Sequence, residues 1–532
     1  MVTLPGSLAS KLGLGVLVAA LTTGIAPAEE FHYASQGDPR TLDPHAMNEQ
    51  LTLMIQHQIY DPLIGRDRDL NLVPSIATSW EPVSDTVWRL AIREGVTFHE
   101  GQPLTAHDVA FSINRARPGH QFAGYLASIT DVAVIDDYTV EVTTGAADPL
   151  LPAKLSVVLI MDQEWAEAND AVEVSDIQET EENYAVRNAN GTGPYVLVER
   201  EVGVRTVLER NEDWWDENEG NVTRAVYTQI QSAPTRVAAL LSGEVDLIID
   251  APLQDLPRLE SDPNIAIEQG LELRTMLLGL DQSRVPSPHI FDNEGNPLDV
   301  NPFQDLRVRQ AFVHAIDVEA ILERVMRGYG VPAATVSIPG IGGYQEDLDV
   351  RPAADIARAE ELMAEAGFAD GFQVALLCPN NRYINDTEVC RAIASFLSQI
   401  DVTVTVDSVE RNVYFQRLLD LDTSFYIIGL TTGQLDTQDL LFSNLLTREP
   451  PAGQVNFGLY SNPDLDAAVA ALAVELDPAT RTELYREALT IARDDVADIR
   501  LYHQPLVWAM RSNIDAHLRS DNYVMLRWVT VN

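Results

Sequence analysis

The stretch "SAPTRVAALLSGEVDLIID", Ser232 to Asp250, changes its hydrophobic period in mid-run. Pro234 suits a first helical turn, Val237, Leu240 and Leu241 form an apolar stripe, and Gly243 ends the helix. Val245, Leu247 and Ile249 then alternate as a strand. A helix feeding directly into a strand is the building unit of an α/β chain.

The same alternation extends outward in both directions. Upstream, "FHYASQGDP" reads as a first strand stopped at Gly37-Asp38-Pro39, and Leu51 to Tyr60 as a helix ending before Asp61-Pro62. "TVWRLAIR" places Trp88, Leu90 and Ile92 on one face of a half-buried strand, and "DDYTVEVTT" does so with Tyr138, Val140 and Val142. Between them "TAHDVAFSINRA" reads as a helix capped by Thr105. Downstream, "DLRVRQAFVHAIDVEAILERVM" reads as one helix with Val308, Phe312, Ala315 and Ile316 on one side. "ADIARAEELMAEAGF" is a helix stopped by Gly367 that feeds the strand "FQVALLC". "TEVCRAIASFLSQI", "VTVTVDSV", "VYFQRLLDL" and "SFYIIGL" continue as helix and strand in turn, which implies crossover connections and a mixed or parallel sheet. The fold class is α/β, repeated in two regions of unequal content.

The chain opens with Lys11 and an apolar run, Leu12 to Ile25, closed by the small residues Ala26-Pro27-Ala28. Residues 1–28 read as an export signal cleaved after Ala28, because the run is shorter than the roughly 20 apolar residues of a membrane span. The first cysteine is Cys378, so no lipid anchor is expected near the cleavage site. Asp and Glu total 80 against 36 Lys and Arg, a net charge of −44. Phosphate backbones are repelled by such a surface, which excludes nucleic-acid binding. Only Lys11 and Lys154 are lysines. An acid-rich, lysine-poor surface suits a saline habitat, which predicts that stability and monodispersity rise with added salt, or reflects drift toward acidity under a GC-rich codon bias. Cys378 and Cys390 flank "PNNRYINDTEV" in an oxidising compartment, where they either bridge or lie as two small buried side chains.

Signatures of catalysis are missing. There is no G-x-S-x-G elbow, H-E-x-x-H pair, Walker loop or G-x-G-x-x-G after a strand. "GTGPY", Gly191 to Tyr195, lacks a lysine and reads as a turn before "YVLVERE". His99 and His107 stand around "EGQPLTAHD", where Gly101 and Pro103 make a turn, so no metal site is expected. His503 in "LYHQP" reads as structural.

In order, the export signal, "RTLDP", "IYDPLIGRDRDLNLVPSIATSW", "VWRLAIREGVTFHEGQPLTAHDVAFSINRA", "GTGPY", "RNEDWW", "LLSGEVDLI", "DLRVRQAFVHAID", "AEELMAEAGF" and "LYHQPLVWAMRSN" resemble the solute-binding proteins of ABC importers, in their peptide, opine and nickel class. The resemblance covers essentially all of the chain after residue 28. It implies a two-lobed periplasmic-binding-protein fold with mixed sheets and a hinge. Lobe I is expected over 29–280 plus 506–532, enlarged by a subdomain at about 76–190, and lobe II over 281–505. It further implies a monomeric periplasmic carrier without cofactor or metal, which takes a short peptide or peptide-like, carboxylate-bearing solute to a membrane permease and its ATPase. An oligosaccharide or other non-peptide solute, a ligand-presenting sensor and a secreted hydrolase are the alternatives.

In peptide-binding relatives the ligand backbone adds as a strand against both lobes. The positions resembling those are Ala34-Ser35-Gln36 and Thr431-Thr432-Gly433. Leu430 stands where such members usually carry Trp, and Asp436 is the nearest acid to the place of their amine-binding carboxylate. These departures argue against ordinary dipeptide binding. Tyr33 and Tyr426 are aromatics expected at the cleft. In the polar loop "CPNNRYINDTE", Arg382 suits a ligand carboxylate, Tyr383 stacking and Asn385 a hydrogen bond. Arg411 and Arg417 read as surface residues of lobe II helices.

Overall fold

The computed structural model describes residues 29–119, 121–175 and 182–532. The expected leader, residues 1–28, and its cleavage after Ala28 lie outside the described residues.

A 12-stranded mixed sheet runs through the molecule. Its axis is a pair of long antiparallel strands, Ile265–Leu280 and Ile499–Arg511. Toward one end, Leu247–Ile248 pairs with Ile499–Arg511, then Glu29–Ser35 runs parallel to Leu247–Ile248 and to Val222–Gln229. Toward the other end, Phe425–Leu430 pairs antiparallel with Ile265–Leu280, and Phe372–Pro379 runs parallel to Val402–Val409. The two long strands therefore belong to both ends. Their ladder joins Ile265–Leu271 to Pro505–Arg511, lapses over Glu272 to Arg274, and resumes from Thr275 opposite His503. Two lobes result, joined by strands whose pairing is broken between them.

Local signals place the elements. Ser232 caps the helix Ala233–Ser242 with Pro234 in its first turn, and Gly243 closes it at φ +78°, a conformation costly for any residue with a Cβ. The strand that follows pairs only over Leu247–Ile248, although Val245, Leu247 and Ile249 are all buried. The segment expected as one helix from Asp305 is two, Leu306–Ala315 and Val318–Arg324. Asp317 breaks it, because its side chain accepts the Ala320 amide and starts a new helix.

A separate antiparallel sheet lies within the first lobe, formed by four strands in the order Ala77–Ser84, Val87–Ile92, Thr139–Thr144, Ile129–Asp136. Leu90, Val140 and Val142 pack there against Val109 and Ile113 of the helix Ala106–Ala116. Thr105 and Asp108 cap that helix reciprocally. In the second lobe Cys378 and Cys390 are joined by a disulfide, tying the end of Phe372–Pro379 to the helix Asp386–Leu397.

Candidate functional site: the interlobe cleft

The gap in the central ladder forms one wall of a cavity of about 310 Å³ between the lobes. Glu272 and Arg274 stand two residues apart and so share a face of the strand. Arg274 Nε and Nη2 donate to Glu272 at 3.1 and 3.0 Å, and Gln504 Nε2 reaches Glu272 from the partner strand at 2.5 Å. Burial pushes the Glu272 carboxyl up, but the adjoining Arg274 holds it below its ordinary value.

The first lobe contributes Arg66, at the end of the strand Ile64–Arg66. Its Nη1 donates to the Leu70 carbonyl at 2.8 Å, its Nε to Ser156 Oγ at 3.2 Å, and its Nη2 to the Gln434 carbonyl of the second lobe at 3.1 Å. It makes no ion pair among the described residues. Burial, then the charge of Arg519, pulls its pKa down to about 10. The other cationic side chains of the lining have acidic neighbours: Arg274 has Glu272, Arg519 has Asp521, and Arg527 has Asp216 at 3.8 Å. His57 is held neutral, its pKa pulled to about 3 by burial and then by Arg519.

Asp61 lies at the base. Its Oδ2 accepts from Thr192 Oγ1 at 2.9 Å, Trp214 Nε1 at 3.2 Å and Trp215 Nε1 at 2.7 Å. Burial outweighs these bonds and pushes its pKa up to about 6. Gly191 and Gly193 close the same corner: a Cβ on either would stand 2.1 or 2.6 Å from the Ile59 carbonyl group, so only glycine lets the "GTGPY" turn seat against "IYDP".

The second lobe contributes Thr431, Thr432 and Gly433, just past the strand Phe425–Leu430. Thr432 Oγ1 and Gln434 Nε2 donate to Asp439 at 2.7 and 3.2 Å, which fixes the segment. Gly433 faces Tyr125 of the first lobe, and a Cβ there would lie 3.0 Å from the Tyr125 hydroxyl. The arrangement is a cleft of mixed polar and apolar lining, with one cation that makes no ion pair among the described residues and with the aromatic side chains Tyr125, Trp214 and Trp215 in its wall.

Of the residues singled out from sequence, Thr431, Thr432 and Gly433 line this cavity and the others do not. Tyr33 is fully buried between Phe31 and Tyr227, and Ser35 Oγ is bonded to the Tyr227 hydroxyl at 2.7 Å. Gln36 is exposed. Leu430 and Tyr426 are core residues, the latter wedged between Gly279 and Phe457. Asp436 points into the second lobe, accepting from the Tyr485 hydroxyl at 2.6 Å and capping Thr437–Leu440. Asn385 starts a helix at φ +51° and holds the Val325 carbonyl at 2.9 Å. Arg382 lies over the Tyr383 ring at 5.0 Å, with Arg274 over the same ring at 5.8 Å. Arg382 does not line the cavity, and its buried Nε has no partner among the described residues. Arg417 pairs with Asp407 and Asp422, while the Arg411 amide donates to Asn381. His99 bonds the Gly193 carbonyl, and no cluster of metal-ligating side chains occurs among the described residues. His503 is buried between Thr275 and Asp349. Sequence reasoning missed Arg66, Tyr125, Glu272 and Arg274. Arg66 and Asp61 both lie in "IYDPLIGR", a stretch whose family likeness was the only available signal.

Two lobes joined by paired strands around a cleft are the plan of a solute-binding protein. Residues 71–449 match the model of the bacterial extracellular solute-binding proteins, family 5 Middle, and the chain belongs to this family. It is 25% identical to the haem-binding protein A of Haemophilus influenzae, over 84% of this chain and 82% of that one. It is 24% identical to the glutathione-binding protein GsiB of Salmonella paratyphi A, over 95% and 94% of the two chains. Its fold superposes on the ABC transporter-associated periplasmic binding protein DppA from Helicobacter pylori, in complex with the peptide STSA. The TM-score there is 0.77 at 21% identity, covering 95% of this chain and 98% of that one.

Proposed function

We propose that the protein is the periplasmic component of an ABC importer, capturing a short peptide or peptide-like solute with a free carboxylate and delivering it unchanged to a membrane permease and its ATPase. It acts as a monomer, without cofactor, after removal of residues 1–28 and without a lipid anchor. The observation that carries this reading is Arg66, a guanidinium that makes no ion pair among the described residues and lines the interlobe cavity of about 310 Å³. A buried cation of this kind is satisfied by a ligand carboxylate. Thr431 and Thr432 have no main-chain partner among the described residues, which leaves a short edge for an extended ligand backbone, while the Gly433 main chain bonds the Tyr125 hydroxyl. The first strand offers no matching edge, since the Ala34 and Ser35 carbonyls already accept from Ile249 and Ile230. The lobes divide where the central ladder lapses, at 272–274 and 504, slightly before the boundaries 280 and 505.

The relatives support a carrier without choosing its cargo, because one is described as haem-binding and another as glutathione-binding. Tyr125, Trp214 and Trp215 favour a second reading, a flat non-peptide solute stacked on their faces. Mass spectrometry of small molecules released by denaturing protein purified from its native periplasm tests both. Short peptides of mixed sequence support backbone-directed capture, and one defined non-peptide compound establishes the second reading. A solute returned chemically altered overturns the carrier itself.

A further inference from the structure

A second cavity, of about 550 Å³, lies in the second lobe outside the interlobe cleft. It is lined by the helices Leu306–Ala315 and Ile356–Glu365, the end of Pro478–Asp494 and the start of Ile499–Arg511. Arg351, Arg358, Arg493, Arg500 and His314 face it, against the carboxylates Asp494 and Asp498. In a chain of net charge −44 this is a concentration of cations that chance does not favour.

The arginines are unevenly compensated. Arg351 donates to the Arg500 carbonyl and to the Val313 carbonyl at 3.1 Å, and makes no ion pair among the described residues. Arg500 is buried, its Nε 2.5 Å from Asp498 Oδ1, while its Nη1 is enclosed with no hydrogen-bond partner among the described residues. His314 Nδ1 is left in the same state. Arg358 and Arg493 have only partly exposed partners, Glu361 at 3.0 Å and Asp494 at 2.8 Å, and such pairs are weak enough to be redirected. Buried donors without acceptors are rare in native proteins and call for an occupant.

We propose that this cavity is a second binding site, for a small molecule carrying a carboxylate or phosphate group that bonds Arg500 Nη1 and neutralises Arg351. Its volume lies within the roughly 300–1,000 Å³ of small-molecule sites. The many acids elsewhere on the surface do not forbid an anion here, because charges beyond a Debye length of about 8 Å at physiological salt are screened. The wall of the cavity is also tied to the hinge. Asp349 accepts the amides of Ala334 and Thr335 at 2.7 and 2.9 Å and holds His503, which bonds Thr275 on the other crossing strand at 3.0 Å.

The test is calorimetric titration of the full protein, freed of cleft ligand, with inorganic phosphate and separately with succinate at constant ionic strength. Saturable binding of one molecule is expected for at least one probe, and which one it is distinguishes a phosphate from a carboxylate site. Arg351→Gln and Arg493→Gln should each weaken that binding about tenfold or more. Arg493 is half-exposed, so its variant keeps the test decisive if Arg351→Gln fails to fold. The proposal is overturned if neither probe saturates, if binding survives both substitutions undiminished, or if Arg66→Gln alone abolishes it, since the anion would then sit in the cleft.

Discussion

Asp61 gathers three separate stretches of chain under one carboxylate: its own "YDP", Thr192 of "GTGPY" and the tryptophans of "RNEDWW". Burial raises its pKa from 3.8 to about 6, so the folded state disfavours its charged form. That penalty is fully present above pH 6 and is relieved as pH falls from there toward 3.8. Asp61→Asn keeps an acceptor oxygen and carries no charge. The variant should therefore gain on the wild type by up to about 3 kcal/mol at pH 7.5, and lose that advantage below pH of about 4. Chemical denaturation at both pH values measures the gap, and a gap independent of pH rejects the assignment. Arg66 makes the opposite case, a charge kept for something outside the protein. Arg66→Ala should weaken binding of the native solute at least about tenfold, because losing one partner of an enclosed charged pair costs about 2–5 kcal/mol, and should also lower the unfolding midpoint through the three protein hydrogen bonds it gives up. Calorimetry showing unchanged affinity would remove Arg66 from the site. Neither role is visible in the sequence, where Asp61 and Arg66 are two of many charged residues; only folding separates the buried from the solvated.

Elements whose ends carry local chemistry were legible. Thr105, Pro234, Gly243 and Gly367 each mark a boundary through an effect confined to one turn, and the structure places helices beside all of them. Elements whose ends depend on partners were not. The run "LELRTMLLGL" has no punctuation, so the lapse at Glu272 to Arg274 is set by what each half pairs with rather than by its own residues. The break at Asp317 was hidden for the converse reason, an apolar stripe that continues across it. The lapse is held by a buried pair, and this makes a prediction. Glu272→Ala leaves Arg274 buried without its carboxylate and should cost about 3–5 kcal/mol, whereas replacing both residues by Met should restore much of that loss. Urea denaturation compares them, and an unaltered midpoint for Glu272→Ala would mean that the pair is solvated.

At the scale of the molecule, the two-lobed plan was legible because family-like motifs recur along the whole chain, whereas the cleft was not, since its lining comes from segments as distant as Arg66, Tyr125, Arg274, Gly433 and Arg519. Those segments meet only when the lobes do. The lobes meet at the cleft through Arg66 on the Gln434 carbonyl, Leu70 within the apolar cluster of Val336 and Ile338, and Tyr125 against Gly433, and at the crossing strands through Tyr329 on Glu260 at 3.2 Å and an apolar cluster that holds residues of both lobes, Leu240 and Leu256 with Met276 and Phe312. The cleft-side contacts, the Arg66 hydrogen bond, the buried leucine and the aromatic contact, offset only a few kcal/mol of the freedom gained when the cleft opens about the crossing strands. A bound solute that bridges the lobes therefore decides the equilibrium by its differential affinity for the closed form. Small-angle scattering should show a smaller radius of gyration with the native solute than without it. Gly433→Val places branched carbons where a Cβ already stands 3.0 Å from the Tyr125 hydroxyl, and should hold the lobes apart even before ligand is added. Identical radii for the free, liganded and Gly433→Val proteins would mean that the lobes are rigidly joined, and that the solute reaches the chamber by a route other than hinge opening.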